Sequence, residues 1–418
     1  MAQLSDDCFA FGGDLLSMAA ALDLLDAKVV PVAAAETVPL KSARGRILAA
    51  PIVAARNVPP YDNSAVDGYA IAFADLSPGK DTWLPVAARA AAGHPLKHPV
   101  KSGSAVRIFT GAPMPEGFDT VLMQEDCTEE RGGVRIPPGI KAGANRRRAG
   151  EDVKAGDVAL PAGKRLRPQE IGLAAALGIT ELRVYRPLRV AIFSTGDELR
   201  EPAADLPAGA IYDANRYVLH ALLEGLGASV TDLGIVADRE PAIRATLANA
   251  VRDHDLVITS GGMSTGEEDH MKAAVEALGK LHFWRLAIKP GRPVAMGQIC
   301  QIPFMGLPGN PVAVMVTFLI LARPLVLRLA GAVETAPRRF RVTAGFAYKK
   351  RSNRCEYVRA RLRRGSEGEW IAHKFPRDGA GILSSMVESD GLVEIAEGIS
   401  RLEPGTPVAF LPFSEVIA

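Results

Sequence analysis

Apolar runs alternate with helical periodicity most regularly between residues 186 and 333. The runs are short and uninterrupted, as is typical of buried strands, and lie at 188–194, 255–260, 281–288 and 303–307, with one more strand ending near Val236. Helices are predicted at 213–226, from Asp238 to Asp253, at 267–279 and from Pro311 onward, with Asp213 and Asp238 as N-caps. This alternation predicts a parallel sheet that carries helices on its faces.

The other segments follow different patterns. An amphipathic helix is predicted over 14–28, because its apolar residues recur at helical spacing: Leu15, Met18, Leu22 and Leu25. Residues 60–149 hold short apolar runs between Gly- and Pro-rich turns, which favours a small, mostly-β domain. Residues 150–185 predict two short strands and a helix after Pro168 that Gly178 ends. In residues 337–418, short runs that are apolar or alternate between apolar and polar residues lie between turns, which predicts a compact β-barrel or sandwich.

We therefore predict a multi-domain fold of α/β plus β class. A discontinuous linking domain is expected at 1–57 and 150–185, with a mostly-β domain inserted at 58–149. A central parallel-sheet α/β domain follows at 186–333, and a C-terminal β-barrel at 334–418. A chain of 418 residues is too long for one comfortable core, which agrees with several domains.

The composition of the chain mainly excludes certain classes of partner and site. The 49 basic and 47 acidic residues leave a formal charge of +2, so no global field favours nucleic acid or an anionic membrane. The four cysteines form no CxxC pair, which argues against structural zinc and a disulfide framework. No secretory pattern opens the sequence, and the longest apolar stretch, 311–322, is short for a bilayer and ends at Arg323-Pro324. We expect a soluble, cytoplasmic protein.

Candidate chemistry follows the predicted strands. Each is followed by glycine, a carboxylate or a cation, in the loops at 194–198, 237–238, 260–269, 288–293 and 306–311. Since the carboxyl ends of parallel strands meet at one sheet edge, these loops are expected to converge on a ligand site. Any one of them alone is equally well a tight turn between a strand and a helix.

The loop Ser260-Gly-Gly-Met-Ser-Thr-Gly266 is the strongest local signal. Its glycines allow backbone N–H groups to approach an anion, and the next helix turns its positive end toward the loop. The loop matches neither the Walker pattern nor the dinucleotide fingerprint. We expect Ser260, Gly261, Gly262, Ser264 and Gly266 to bind phosphate. Lys289 and Arg292 flank Pro290-Gly291 and are expected to bind a second anion.

Three carboxylates, Glu198, Asp238 and Asp269, crowd the same predicted edge. Acids beside phosphate repel it unless a divalent cation lies between them, and Mg²⁺ binds through one or two carboxylates plus phosphate oxygens. We therefore predict Mg²⁺ at these three residues. Each acid is individually also explained as a helix N-cap, Asp238 above all.

Three further segments carry more polar chemistry than a linker requires. They are PPYDNSAVDGY (59–69), RIFTGA (107–112) and NRRRAGED (145–152). A charge run such as Arg146–Arg148 is more often a solvated face than a site.

Together these motifs resemble the molybdopterin molybdenumtransferase family, known as MoeA in bacteria and as the E domain of gephyrin. The matching stretches occur in family order: PPYDNSAVDGYA (59–70), RIFTGAPMPEGFDTVLMQED (107–126), NRRRAGED (145–152), VAIFSTGDEL (190–199), SGGMSTGEED (260–269), LAIKPGRP (286–293) and GLPGNP (306–311). Several motifs in order are far more specific than any one of them.

The resemblance implies the four-domain subunit described above and a homodimer. Its active cleft would lie between the α/β domain of one subunit and the linking and inserted domains of the other. The implied reaction joins molybdate to adenylylated molybdopterin, cleaves the pyrophosphate link with Mg²⁺, and yields molybdenum cofactor and AMP. Molybdopterin adenylyltransferase and molybdoenzyme maturation proteins become candidate partners, whereas nucleic acid and membranes do not.

The resemblance also assigns residues. It implies catalytic roles for Asp62, Thr110, Asp152, Glu198, Asp238, Asp269 and Lys289. It implies substrate contacts for Arg147, Arg285, Pro308, Gly309, Pro311 and Arg359. Two departures stand out: Ala380 replaces a serine that usually follows the glycine in the family, for which Ser384 or Ser385 is a substitute, and Arg292 replaces a lysine.

Two alternatives stay open on the sequence. The central loop would also serve an enzyme that adenylylates molybdopterin with ATP, although that activity belongs to short single-domain relatives. A non-catalytic scaffold of the gephyrin kind is the second alternative. It is disfavoured because acids stand at 62, 152, 198, 238 and 269.

Overall fold

The computed structural model describes residues 15–262 and 270–417, with Phe283 described by its backbone alone. The first helix, α1 (Met18–Lys28), begins where the Ser17 hydroxyl accepts a hydrogen bond from the Ala20 N–H (3.1 Å). Of the predicted apolar face, Met18 and Leu25 are buried, whereas Leu15 precedes the helix and is exposed. The next elements are β1 (Ala35–Pro39), a 3₁₀ turn (Leu40–Ser42) and β2 (Ile52–Val53).

Short strands then form a separate β unit, as the Gly- and Pro-rich pattern predicts. The strands are β3 (Asn63–Ser64), β4 (Gly68–Ile71), β5 (Thr82–Ala90), β6 (Ala105–Ile108), β7 (Thr120–Met123), β8 (Thr128–Glu130), β9 (Gly133–Ile136) and β10 (Arg146–Arg147). Two 3₁₀ turns interrupt them, Phe73–Asp75 and Gln124–Asp126. Six strands make one sheet in the order β7-β4-β6-β5-β9-β8, while β3 pairs with β10 alone.

The chain next returns to the first elements. Strand β11 (Val158–Leu160) pairs with β2, helix α2 (Pro168–Ala176) follows, and β12 (Glu181–Tyr185) pairs with β1 along its whole length. Residues from both sides of the β unit, such as Leu48 and Val184, share one buried core. The discontinuous organisation explains how the β unit is inserted; the exact domain boundaries stay a prediction.

A six-stranded sheet forms the centre of the molecule. The elements of this region of the chain are β13 (Arg189–Thr195), β14 (Leu199–Arg200), β15 (Ile211–Tyr212), α3 (Asn215–Gly225), β16 (Ser229–Val236), α4 (Glu240–Asp253), β17 (Leu256–Ser260), α5 (His270–Glu276), β18 (Gly279–Arg285), β19 (Ile288–Lys289), β20 (Pro293–Ile299) and β21 (Ile302–Leu307). The sheet order is β16-β13-β17-β21-β20-β18, and the four strands β16, β13, β17 and β21 are parallel.

Two features of this sheet differ from the sequence prediction. Strand β20 was not predicted, and it runs antiparallel to both of its neighbours. The predicted strand 281–288 is divided, because β18 ends at Arg285 and β19 leaves the sheet.

The N-cap residues of helices α3 and α4 are Ala214 and Arg239 rather than the predicted Asp213 and Asp238. Asp213 still accepts hydrogen bonds from the N–H groups of Asn215 (3.1 Å) and Arg216 (3.3 Å).

One long apolar helix packs beneath the sheet. It comprises α6 (Pro311–Thr317), a π-helical turn (Phe318–Ala322) and α7 (Arg323–Leu329). The apolar run ends at Arg323-Pro324, but the helix continues through Pro324 to Leu329, with the π-helical turn immediately before Arg323. By length and composition this helix could cross a membrane, but 89% of its apolar window is buried within the fold.

The C-terminal region forms the predicted β-barrel. Its elements are β22 (Phe340–Ala344), β23 (Tyr348–Lys349), β24 (Cys355–Arg364), β25 (Trp370–Lys374), α8 (Ser384–Val387), β26 (Gly391–Ile395), β27 (Arg401–Leu402), β28 (Pro407–Pro412) and a 3₁₀ turn (Phe413–Glu415). Five strands close on themselves in the order β24-β25-β22-β28-β26, since β26 also pairs with β24.

A buried ion pair lies at the sheet edge where β13 and β17 begin. Asp255 is 5% exposed, and its carboxylate accepts from Arg186 (2.6 and 2.8 Å) and from Arg189 (3.1 Å). Burial alone would raise the pKa of Asp255, but these hydrogen bonds outweigh burial, so the pKa lies below its usual value. The ionised carboxylate therefore stabilises the folded state.

We expect Asp255→Asn to lower the free energy of unfolding by about 2–3 kcal/mol at pH 7, because two arginines lose their charged partner. The folded pKa lies below the unfolded value, so this stabilisation is present above the unfolded pKa of Asp255 and is lost as pH falls through the folded one. Urea titrations at pH 7 and pH 3 should therefore show a smaller difference from the wild type at pH 3.

Glu334→Gln is the control for this substitution. Its ion pair with Lys164 (3.3 Å) is solvent-exposed, so the change should cost less than about 0.5 kcal/mol. Equal effects of the two substitutions would contradict the role assigned to burial.

Candidate functional site

A cavity of about 610 Å³ lies between the carboxyl edge of the central sheet and the barrel. The sheet contributes the loops after β13, β16, β17 and β21, together with the turn after β19. The barrel contributes β24 and the segment that follows β25. The described lining residues that carry charge are Glu198, Asp238, Lys289, Glu356, Arg359, Lys374, Arg377 and Asp378. The convergence of loops that the sequence predicts therefore occurs, with a second wall from the barrel.

The glycines after β17 form the floor of the cavity. Gly261 and Gly262 both have left-handed backbone conformations, with φ of +88° and +64°. A Cβ on Gly261 would lie 2.5 Å from the Thr195 carbonyl oxygen, and one on Gly262 would lie 2.5 Å from the Thr195 hydroxyl. Only glycine fits both the torsion angles and the close approach, so backbone rather than side chains faces the cavity here.

Asn215, the first residue of α3, ties this floor to the loop after β21. Its side-chain amide donates to the Ser260 hydroxyl (2.9 Å) and to the Gly309 carbonyl (2.7 Å). The Ser260 hydroxyl in turn donates to the Pro308 carbonyl (3.2 Å). Ser260 is buried and does not line the cavity, so its hydroxyl holds two loops together.

Two carboxylates lie on the sheet side of the cavity. Glu198 follows β13 and Asp238 follows β16, and these are neighbouring strands. A Cβ on Gly196 would lie within 2.9 Å of the Glu198 carboxylate, so glycine leaves room for this side chain. Within the described residues, no group of three or more His, Cys, Asp or Glu side chains is arranged to hold a metal ion. Asp269, the third predicted ligand, lies outside the described residues, as do Ser264 and Gly266.

A buried carboxylate from the barrel contacts the cation predicted at the sheet edge. Strand β19 leaves the α/β domain to pair with β24, which places Lys289 beside Glu356. Glu356 is 1% exposed and accepts from the Tyr348 hydroxyl (2.8 Å) and from Arg354 (2.7 Å), and its carboxylate forms an ion pair with the Lys289 ammonium (3.3 Å). Burial alone would raise the pKa of Glu356, but these donors outweigh it and leave the pKa below its usual value.

Arg359, on strand β24 of the barrel, is a second cation held in place beside the cavity, after Lys289. Its Nε donates to the Ser385 hydroxyl (3.0 Å) and its Nη2 to the Gly379 carbonyl (3.0 Å). Burial lowers the pKa of Arg359 from its ordinary value, although a guanidinium keeps its proton at any physiological pH. Both hydrogen-bond partners are neutral, and the Asp378 carboxylate also interacts with the guanidinium electrostatically.

A second polar cluster lies in the inserted β unit. The Asp62 carboxylate accepts from the Ala149 N–H (2.8 Å) and lies 3.6 Å from Arg146, while β3 and β10 pair Asn63 with Arg147. The Asp67 carboxylate accepts from the N–H and the hydroxyl of Thr110, both at 2.8 Å. These hydrogen bonds hold the pKa of Asp67 below its usual value. Three sequence segments that are far apart in the chain therefore meet on one surface.

The comparisons with known proteins agree with this architecture. Family models match three regions: the MoeA N-terminal region (domains I and II) at residues 16–178, a probable molybdopterin binding domain at 191–328, and the MoeA C-terminal region (domain IV) at 341–413. The chain is 40% identical over 380 residues to a molybdopterin molybdenumtransferase of Haemophilus influenzae, covering 90% of this chain and 94% of the relative. The chain belongs to the MoeA family.

Other relatives extend the MoeA comparison. Molybdopterin molybdenumtransferase 2 of Mycobacterium tuberculosis is 35% identical over 380 residues, which cover 88% of this chain and 93% of that protein. A crystal structure of the molybdopterin biosynthesis MoeA protein from Pyrococcus horikoshii OT3 superposes with a TM-score of 0.81 at 29% identity. That match covers 96% of this chain and 100% of the other.

The cavity brings together only part of the residues that the MoeA resemblance assigns. It is lined by Glu198, Asp238, Gly261, Gly262, Lys289, Pro308, Gly309 and Arg359. Arg285, Arg292 and Pro311 do not line it: both arginines are exposed, and Pro311 is the first residue of α6. Asp62, Thr110, Arg147 and Asp152 belong to the other cluster or its neighbourhood, and Asp152 is exposed.

Ala380 and the two serines proposed to replace the family hydroxyl are also described. The Ala380 carbonyl accepts from the Val312 N–H (2.9 Å), which joins the barrel to α6. Ser384 is exposed, and the Ser385 hydroxyl is buried against Arg359, so neither lines the cavity.

Sequence reasoning missed several residues of the barrel wall. They are Tyr348, Glu356, Lys374, Arg377 and Asp378. Glu356 lies on β24 close to Arg359, and alternation along that strand offered no reason to choose it. Its importance depends on the pairing of β24 with β19, which joins residues 67 positions apart and leaves no local signal.

We expect Gly261→Ala to loosen the cavity floor, because the new methyl group would meet the Thr195 carbonyl and the φ of +88° disfavours any side chain. Backbone hydrogen exchange in β17 should quicken by at least about tenfold, as for a local opening made easier by about 1.4 kcal/mol or more.

Gly103→Ala is the matched control. Gly103 has a similar φ of +83°, but an added Cβ would meet nothing within 4 Å. This variant isolates the torsional cost and should leave exchange in β17 unchanged. Unchanged exchange in Gly261→Ala would contradict the packing argument.

Proposed function

We propose that this chain inserts molybdate into adenylylated molybdopterin, with Mg²⁺-dependent release of AMP, to give molybdenum cofactor. The observation that carries the proposal is the cavity, whose sheet wall carries two carboxylates beside a glycine floor and whose barrel wall carries the cations Arg359, Lys374 and Arg377 together with the carboxylates Glu356 and Asp378. Relatives that match most of the chain are named molybdopterin molybdenumtransferase. Molybdenum cofactor biosynthesis by molybdenum insertion is therefore the function of the family to which the chain belongs.

The two carboxylates suit a magnesium ion. Mg²⁺ keeps several waters and binds proteins through one or two carboxylates plus substrate phosphates, so Glu198 and Asp238 form an adequate donor pair. Asp269 is the third proposed ligand. When bound, the ion would neutralise phosphate charge and polarise the pyrophosphate link.

The chain's own residues then divide the work. The N–H groups around Gly261 and Gly262 bind the pterin phosphate, which needs donors close to the backbone. Lys289 and Arg359 bind molybdate, because an oxyanion requires cations. Arg292, which we also expected to bind molybdate, is exposed outside the cavity, so Arg359 on the barrel wall is the better placed partner for Lys289.

We further propose a homodimer in which the Asp62–Thr110 cluster of one subunit faces the cavity of the other. The cluster holds assigned catalytic residues, yet none of them lines the cavity of its own chain within the described residues. A closed two-fold dimer would bring the two together twice. A cytoplasmic location, molybdopterin adenylyltransferase and molybdoenzyme maturation proteins remain the proposed setting and partners.

Adenylylation of molybdopterin is not favoured as an alternative. The relatives that span most of this chain are named for molybdenum transfer, and the regions outside the central domain are matched as well. One assay tests the proposal: adenylylated molybdopterin, Mg²⁺ and molybdate are supplied, and AMP is followed. Molybdate-dependent AMP supports it. Consumption of ATP on free molybdopterin would support adenylylation instead, and the lack of both activities would leave a scaffold.

The shared cleft predicts complementation between two inactive variants. Asp62→Ala and Glu198→Ala should each abolish molybdate-dependent AMP release in homodimers. In a heterodimer of the two, one cleft carries both defects and the other carries none, so about half of the wild-type activity should return.

Heterodimers isolated with two different affinity tags provide the measurement. A heterodimer of Asp62→Ala with Asp152→Ala is the control. Both defects lie on the same side of the cleft, so each of its two clefts carries one defect and the heterodimer should stay inactive. Inactive Asp62→Ala/Glu198→Ala heterodimers would show that each cleft belongs to a single subunit.

A further inference from the structure

Lys289 reaches the cavity on a segment that leaves the central sheet. Strand β19 has two residues, and its partner is β24 of the barrel rather than a strand of the central sheet. The Cys355 N–H donates to the Ala287 carbonyl (2.7 Å), which fixes the register of the two strands. The position of Lys289 therefore depends on the barrel.

Glu356 is the cross-strand neighbour of Lys289 in that register. Its carboxylate is buried and lines the cavity, where a negative charge would repel any oxyanion. Arg354 and Tyr348 contact the carboxylate at 2.7 and 2.8 Å, closer than the 3.3 Å to Lys289. Most of the charge of Glu356 is thus balanced from within the barrel.

This arrangement leaves Lys289 held but not neutralised. The Lys289 side chain is 52% exposed, whereas the Glu356 side chain with which it forms an ion pair is 2% exposed and is held by its barrel partners. A flexible ammonium loses entropy when it binds an anion, and an ammonium already held in place loses less.

We propose that Glu356 is a positioning residue for molybdate binding, which acts by holding the Lys289 ammonium toward the cavity. The inference rests on the proposed function, and it adds a residue that neither the sequence motifs nor the family resemblance assigned. Glu356 forms no bond to substrate and changes no protonation state in this role.

The proposal predicts an effect opposite in sign to simple electrostatics. If Glu356 were only a nearby negative charge, Glu356→Gln would reduce repulsion and lower the KM for molybdate. If it positions Lys289, the same substitution should raise that KM, by about tenfold, because a misplaced charge loses most of its value. Glu356→Asp keeps the charge but shortens the reach, so it should also raise the KM for molybdate.

The experiment measures AMP release at varied molybdate and, separately, at varied adenylylated molybdopterin. We expect both Glu356 variants to change the KM for adenylylated molybdopterin less than about twofold, because the glycine floor proposed to bind the pterin phosphate belongs to the sheet wall, whereas Glu356 belongs to the barrel wall and contacts Lys289. In a Lys289→Ala background, Glu356→Gln should raise the KM for molybdate no further, because the residue through which it acts is gone.

Glu394→Gln controls for damage to the barrel. Glu394 is on β26, beside β24, and pairs with Arg339 (2.7 Å), but it does not line the cavity. It should leave the KM for molybdate unchanged even if thermal stability falls. A calorimetric titration of each variant with sodium molybdate alone provides a second measurement of the affinity for molybdate.

The outcomes separate the two proposals. Wild-type protein without molybdate-dependent AMP release would overturn the proposed function. Active wild type with a KM for molybdate that is unchanged or lower in Glu356→Gln would overturn the positioning role alone. So would an equal rise of the KM in the Lys289→Ala background, since it would show that Glu356 acts independently of Lys289.

Discussion

The pairing of β19 with β24 is the contact on which the candidate site depends. Two residues taken from the α/β domain complete a strand pair with the barrel and bring the barrel against the carboxyl edge of the sheet. Apolar packing supports the same junction, because Tyr357 and Leu392 of the barrel share one core with Trp284 and Leu286. Without this junction the sheet edge would be an open surface rather than one wall of a cavity.

The cavity takes acids and cations from different elements, although the barrel wall also contributes the carboxylates Glu356 and Asp378. The acids Glu198 and Asp238 follow parallel strands of the sheet, whereas Arg359 comes from a barrel strand. Lys289 lies where the two meet. An anionic substrate and a divalent cation can then occupy neighbouring positions, because the cations Lys289 and Arg359 and the carboxylates Glu198 and Asp238 line the same cavity. Such an arrangement agrees with a reaction that handles phosphate, a metal ion and an oxyanion together.

The inserted β unit has a hydrophobic core of its own. The Asp62–Thr110 cluster on its surface does not line the cavity of the same chain. Asp62, Asp67 and Thr110 are ordered by backbone hydrogen bonds, so the cluster needs no ligand to take its shape. The role that we propose for it in a shared cleft depends on assembly of the dimer rather than on folding of the subunit. The linking strands β1 and β12 matter here, because their pairing sets where the β unit projects from the rest of the subunit.

The sequence by itself determined the fold class, the family and the loops that meet at the sheet edge, because hydrophobic periodicity and short motifs are local properties. It also indicated the glycines at 261 and 262, whose left-handed torsions no other residue adopts without strain. Only the tertiary structure decided that β20 runs antiparallel, that Arg292 is exposed and does not line the cavity, and that Glu356 contacts Lys289. Strand direction and cross-domain pairing arise from contacts between distant segments, and those contacts leave no periodic signal in the chain.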